Sequence, residues 1–456
     1  MQANPFAPRR LAFGFYLFAF ALFAKAGTPP AETASPDTPQ IAFTNVRVFN
    51  GEDPQLSPPT TVIVQGTRIA SIGAAPGTGA RVIDGKGHTL MPGLIDAHVH
   101  VTMVNVTHND LMLDDVSYLH VRSTRGAHDM LLRGFTSVRD MGGPSFGLKR
   151  AIDEGSVPGP RIWPSGAVIS QSGGHGDFRL RNQIPGNSSQ PTHTELIGAG
   201  AIADGESAVL RRVREQLALG ATQIKVTAGG GIVSQFDPID VSQYTVREIR
   251  AAVEAAENWG TYVTVHAYTP RAVRAAVEAG VKCIEHGQLL DEATIRLIAE
   301  KGVWWSLQPF IAEAGAAEGF NRWDPRWLKQ QQVFQGTDFA YRMARKHKIR
   351  VAWGSDLLLD PKAQHTQNGF LIRMLNWYSA PEVLRMATFD NAALLALAGP
   401  RNGYDAAVGV IRPDAYADLL LVAGNPLEDL KLVADPERNF SVIMKNGQIY
   451  KNTLGR

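Results

Sequence analysis

Met91-Pro-Gly-Leu-Ile-Asp-Ala-His98-Val-His100 is an apolar run that a Pro-Gly pair opens and two histidines close. In an extended strand, residues i and i+2 point to the same face, so His98 and His100 can reach a single metal ion. A bare His-x-His also arises from packing, so its meaning rests on what surrounds it. Downstream, short apolar strands alternate with Ala/Arg/Glu-rich helical stretches, the pattern of repeated β-α units on a parallel sheet. Strands are expected at 94–100, 136–140, 161–167, 223–227, 262–267, 282–286, 303–307 and 350–354, with typical helices at 206–219, 245–259 and 270–279. Eight parallel strands are what a closed (β/α)8 barrel requires.

Both flanks change texture. Alternating segments at 41–49, 60–72 and 81–90, and again at 408–411, 418–422, 440–445 and 448–451 with an Asn446-Gly447 turn, read as antiparallel strands. The expected fold class is α/β: a TIM barrel over 91–404, with a small β-sandwich built from both chain ends, 41–90 and 405–456.

The composition fits this reading. With 456 residues, 44% hydrophobic and 19% charged, the chain can bury a large core, which excludes disorder, collagen and coiled coil. Arg9 and Arg10, the apolar run 11–23 and Ala24-Lys25-Ala26 form a signal-peptide pattern over 1–26, followed by a Pro/Thr/Ala-rich leader at 27–40. The expected protein is exported, periplasmic or secreted, without stable membrane insertion after cleavage. Losing Arg9, Arg10 and Lys25 takes the formal charge from +2 to −1, which leaves no electrostatic case for nucleic acid. The single cysteine, Cys283, allows no intrachain disulfide and reads as a buried, inert thiol.

Chemistry gathers at strand ends. Lys225, His266 and His286 lie at or near the C-terminal ends of expected strands, and Asp356 follows the eighth, where barrels place their active sites. A lysine entering a core is costly unless paired or neutralised, and carbamylation by carbon dioxide is one solution. The Gly/Asn/Gln-rich stretch 170–205 reads as a substrate loop. A second loop, with Phe310, Phe320, Trp323 and Trp327, either caps an apolar substrate or packs between subunits. His175 is flanked by glycines, which permits close approach to a ligand. His88, His108, His120, His128, His193, His347 and His365 lack strand-end placement and read as surface or core residues, while Arg271 and Arg274 read as a solvated helix face.

The stretches MPGLIDAHVH, IKVTAGGG, VTVHAY, CIEHG, WGSD and ADLLLV together resemble the metal-dependent amidohydrolase superfamily, over nearly the whole chain from Ile41 onward. Within it, the chain looks most like the branch of binuclear zinc Xaa-Pro dipeptidases and carboxypeptidases, often called imidazolonepropionase-like, that includes ochratoxin-degrading amidohydrolases. The resemblance implies two divalent ions, zinc by preference. His98 and His100 would bind one, His266 and His286 the other, and a carboxylated Lys225 would bridge them, with Asp356 on the first. It implies that His175 and Tyr268 contact the scissile carbonyl or the substrate α-carboxylate, and that Asp356 shuttles the proton. It also implies a homo-oligomer, an octamer by the family's pattern. The expected substrate is a small peptide or N-acyl amino acid, and the expected reaction is removal of its C-terminal residue. The alternatives are a cyclic-amide or organophosphate hydrolase on the same scaffold, and a non-catalytic periplasmic binding protein. Asp414 departs from the family's usual glycine, in the sandwich.

Overall fold

Period-two alternation at the two chain ends produces strands that can bury one face only by packing on each other, and the two ends do so together. The computed structural model describes residues 40–184, 190–234, 236–312 and 320–454. The signal peptide expected at 1–26 lies outside the described residues, as does the leader up to residue 39. The N-terminal strands are β1 (Gln40–Val48), β2 (Thr60–Gln65), β3 (Arg68–Ile72), β4 (Arg81–Asp84) and β5 (Thr89–Pro92). The central strands are β6 (Leu94–Val99), β7 (Phe135–Asp140), β8 (Arg161–Pro164), β9 (Val168–Ser170), β10 (Gly200–Ile202), β11 (Ile224–Thr227), β12 (Val263–Ala267), β13 (Cys283–His286), β14 (Trp304–Leu307) and β15 (Val351–Trp353). The chain ends on β16 (Leu419–Val422), β17 (Phe440–Lys445) and β18 (Gln448–Asn452).

Strand β1 serves both layers of the sandwich. Its first part pairs with β2 and β4, and Arg47 and Val48 pair with β5. The switch falls at Asn45, which takes a left-handed φ of 52° where the register shifts. Strand β16 then inserts antiparallel between β5 and β17, so the C-terminal strands complete the sheet that the N-terminal ones begin. Phe43, Val62, Ile69, Leu90, Leu421, Val442 and Met444 fill the space between.

The central strands form a (β/α)8 barrel. Strands β6, β7 and β8 pair in parallel, and β9 and β11 to β15 form a second parallel run with β10 at its edge. Backbone hydrogen bonds join the two runs at both seams: Thr222 N donates to Pro164 O at 2.8 Å, and Asp356 N donates to His98 O at 2.7 Å. The third expected strand, 161–167, is a correction. It stops at Pro164, Gly166 turns the chain at φ 72°, and Gln216 Oε1 takes the Ala167 N–H at 2.9 Å in place of a ladder partner. The chain then re-enters the sheet as β9. Helix Glu206–Leu219 ends on Gly220 at φ 104°, and a Thr245/Glu248 capping box opens Val246–Asn258. Among the described residues no helix is long and apolar enough to cross a membrane.

Barrel and sandwich meet through a buried ion pair, Arg161 Nε to Asp418 Oδ2 at 3.2 Å. Asp414 holds φ 66°, which accounts for a position where glycine serves best. Cys283 is fully buried against Arg139 and Glu285, and burial pushes its thiol up to about 12.

Candidate active site

Parallel barrel strands all end on one face, so side chains far apart in sequence converge there. His98 lies in β6 and His100 just past it, Lys225 in β11, His266 in β12, His286 at the end of β13 and Asp356 beyond β15. Asp356 Oδ1 lies 3.2 Å from His98 Nε2 and 3.3 Å from His100 Nε2, and Oδ2 lies 4.0 Å from His286 Nδ1. His286 and Asp356 both take left-handed backbone, φ 74° and 54°, turning their side chains out of the strand direction. The approach also needs Gly354, where a Cβ would fall 2.7 Å from His98 N.

The histidines are fixed from behind. His98 Nδ1 lies 2.8 Å from Glu285 Oε2, His100 Nδ1 lies 3.1 Å from Gly142 O, and His266 Nε2 lies 3.1 Å from Gly230 O. Glu285 is itself held by Arg139 at 2.7 Å, both fully buried. Asp96 accepts from the backbone N–H of His98 and of Ser355, each at 3.0 Å, and so ties β6 to the Asp356 turn.

Facing inward, His98 Nε2 and His286 Nδ1 are buried without a hydrogen bond among the described residues. Polar atoms left so in a dry site need a ligand, and two imidazole nitrogens beside a carboxylate suit a divalent transition metal. The ligand atoms of His98, His286 and Asp356 all lie within 4.8 Å of one another.

Electrostatics support this. Burial pushes His100, His266 and His286 below their ordinary values, which keeps those three imidazoles neutral for ligation, whereas at His98 the carboxylates of Asp356 and Glu285 outweigh burial and raise it. Burial pushes the Asp356 carboxyl up, but His98, His100 and His286 outweigh it and hold it well below the usual range. Burial lowers Lys225, 3% exposed, against the opposing pull of Glu285 and Asp356.

His175 and Tyr268 lie beside this cluster. The His175 ring stacks on His266 at 4.1 Å, and Tyr268 stacks on His286 at 5.0 Å. Burial raises the Tyr268 phenol well above its ordinary value and keeps it a donor. Above them opens a cavity of about 450 Å³ with Phe178, Ile232, Phe310, Phe320, Phe334 and Leu358 on its walls. Of the aromatic loop, Phe310 and Phe320 therefore line the cavity, while Trp323 is exposed at 78%.

Apart from Lys225, the cavity's one lysine or arginine among the described residues is Arg326. Arg274 instead pairs with Asp291 on the outer surface. His108, read from sequence as ordinary, lies on the cavity wall; its place at the start of the short helix His108–Leu113, just beyond the C-terminal end of β6, is the signal that could have marked it. Glu285, Arg139 and Gln308 also escaped the sequence reading. For Arg139 in β7 and Glu285 in β13 the available sign was a charge inside a strand entering the core; Gln308, uncharged and just past β14, offered none.

The chain matches the amidohydrolase family over residues 89–451. An ochratoxinase of Aspergillus niger is 31% identical over 377 residues, which cover 79% of this chain and 75% of the relative. A solved prolidase complexed with N-methylphosphonate-L-proline superposes with a TM-score of 0.82 at 36% identity, covering 91% of this chain and 100% of its own. A Xaa-Pro dipeptidase with bound methionine gives a TM-score of 0.77 at 26% identity, with 91% and 100% covered.

Proposed function

The chain belongs to the amidohydrolase family, a metal-dependent family of enzymes that hydrolyse amide bonds, and from that premise we propose that it removes the C-terminal residue from dipeptides or N-acyl amino acids. The observation that carries this reading is the convergence of His98, His100 and His286 on Asp356 at the floor of an apolar-walled cavity.

His98, His100 and Asp356 would hold one divalent ion and His266 and His286 a second, with Lys225 as a carbamate between them. Zinc suits this imidazole and carboxylate set. Bound there, a metal would supply Lewis acidity for the scissile carbonyl and lower the pKa of water.

The chain's own residues do the rest. Asp356, strongly ionised by its three histidines, accepts a proton from the attacking water and delivers it to the leaving amine. Tyr268 and His175 donate hydrogen bonds where negative charge develops, which favours the transition state over the ground state. Arg326, whose guanidinium is paired with Asp324 at 2.7 Å, would share its charge with the substrate α-carboxylate. The phenylalanine walls suit a bulky apolar substrate, and ochratoxin A, with a phenylalanine leaving residue, falls in this class. Exported residence and assembly as a homo-oligomer, an octamer by resemblance, belong to the same proposal, as does the division into barrel 91–404 and sandwich 41–90 plus 405–456.

The test is mass-spectrometric detection of amino acid released by zinc-loaded protein. The panel is Xaa-Pro and Xaa-Phe dipeptides, N-acyl amino acids, ochratoxin A and carboxamide-capped versions of each. Release only from substrates with a free carboxylate is expected. Cleavage of capped compounds alone would overturn the C-terminal reading.

A further inference from the structure

Two segments meet beside His175. One is the loop after β11, which carries Gly229-Gly230-Gly231; the other is helix Arg326–Lys346, which follows the aromatic loop. Lys329 on that helix, half-buried, donates to three carbonyls of the loop: Gly231 at 3.0 Å, Ser234 at 2.8 Å and Asp237 at 2.6 Å. An ammonium has three protons, and these contacts use all of them. A lysine satisfied wholly by backbone of one loop fixes the path of that loop.

What the loop holds is His175. A Cβ at Gly231 would fall 2.0 Å from the His175 ring, so the imidazole rests directly on the Gly231 backbone. The backbone N–H of His175 is anchored at 2.9 Å by Gln243, whose amide also donates to Asp237 at 3.2 Å. The ring's Nδ1 lies 2.7 Å from Ser234 Oγ, which also lies 3.2 Å from Gly231 O.

The hydroxyl has one proton to give. With it, Ser234 Oγ links the His175 ring to the Gly231 carbonyl, which also accepts from Lys329. Asp237 does not compete, because its Oδ2 lies 3.9 Å from Nδ1 and accepts from Gly231 N at 2.9 Å and from Gln243.

We propose that Lys329 is a positioning residue that fixes the backbone at Gly231, Ser234 and Asp237 and, through Ser234, the orientation of the His175 ring toward the substrate. The proposal rests on the reading of His175 as a substrate contact.

The test is steady-state kinetics on the best substrate of the release panel, with metal-loaded full-length protein. Lys329→Met, Ser234→Ala and His175→Ala are made singly and in pairs. K329M and S234A should each lower kcat/KM about 10- to 100-fold, chiefly through kcat, and Lys329→Arg should recover part of the loss. In the H175A background K329M should add less than about twofold, since the two act as a unit. Multiplicative losses, or wild-type turnover by K329M beside an impaired H175A, would overturn this proposal alone. Wild-type turnover by H175A would overturn the reading of His175 and this proposal with it. Where K329M fails to fold, S234A carries the same comparison, because it removes only the link between loop and ring.

Discussion

Asp356, half-buried, and Lys225, buried, are ionisable groups at one site, and their environments favour opposite charge states. The carboxylate has three imidazoles within 4.0 Å and stays ionised, whereas the ammonium loses solvation faster than Glu285 and Asp356 restore it. That contrast fits a proton acceptor beside an amine ready to be capped as a carbamate. Asp356→Asn keeps the shape but removes the basic oxygen. Turnover should fall by about 10²- to 10⁴-fold in a folded, metal-loaded protein, and wild-type rates in that protein would refute the assignment. Lys225→Ala should lose bound metal as well as activity, with partial recovery on adding a short-chain carboxylic acid. Elemental analysis checks this, and two metals per chain without any added carboxylate would exclude the bridge.

The glycine-rich loop after β11 shows how an element, rather than a residue, sets the geometry. Gly230 offers its carbonyl to His266 at 3.1 Å, and Gly231 leaves space for the His175 ring. A methyl group at 231 would displace that ring, while the loop's φ values impose no bar to alanine there, since Gly231 is not among the positive-φ glycines. Gly231→Ala should therefore cost about 10²-fold in kcat/KM with little change in melting temperature; kinetics and calorimetry on the same sample check it. The strands and helices themselves were largely readable. Helices 206–219 and 270–279 coincide with the elements observed, because apolar periodicity and the glycines that follow leave few alternatives. The split of the third strand was not readable, since the partner that replaces its ladder is the Gln216 side chain, 49 residues away. The His-x-His strand stood out because a two-residue spacing puts His98 and His100 on one face. Glu285 and Gln308, which lie 2.8 Å and 3.3 Å from His98 Nδ1, and Asp237, which accepts from Gly231 N beside His175, were hidden because only the fold brings them near.

At the scale of the whole molecule, the sandwich is held to the barrel by buried charge as well as apolar packing. Lys445 closes β17 near Arg161, Asp418, Asp153 and Lys149, and only 5% of it is exposed. Burial, reinforced by Arg161 and only partly opposed by Asp418, lowers its ammonium to about 8. The unfolded chain keeps the ordinary lysine value of 10.5, so between about 8 and 10.5 the unfolded state binds more protons than the folded one. Stability from this group must then rise with pH across that window, and below it the folded protein bears the full cost of a buried ammonium. Lys445→Met keeps the length of the side chain and removes the charge. It should stabilise the protein at pH 7 by about 1 to 3 kcal/mol, and the gain should shrink as pH rises from 8 toward 10. Urea unfolding of both proteins across that range measures the difference. A gain independent of pH would mean that packing, not desolvation of the charge, sets the effect, and a loss at pH 7 would mean that Asp418 and Asp153 hold the ammonium more strongly than burial opposes it.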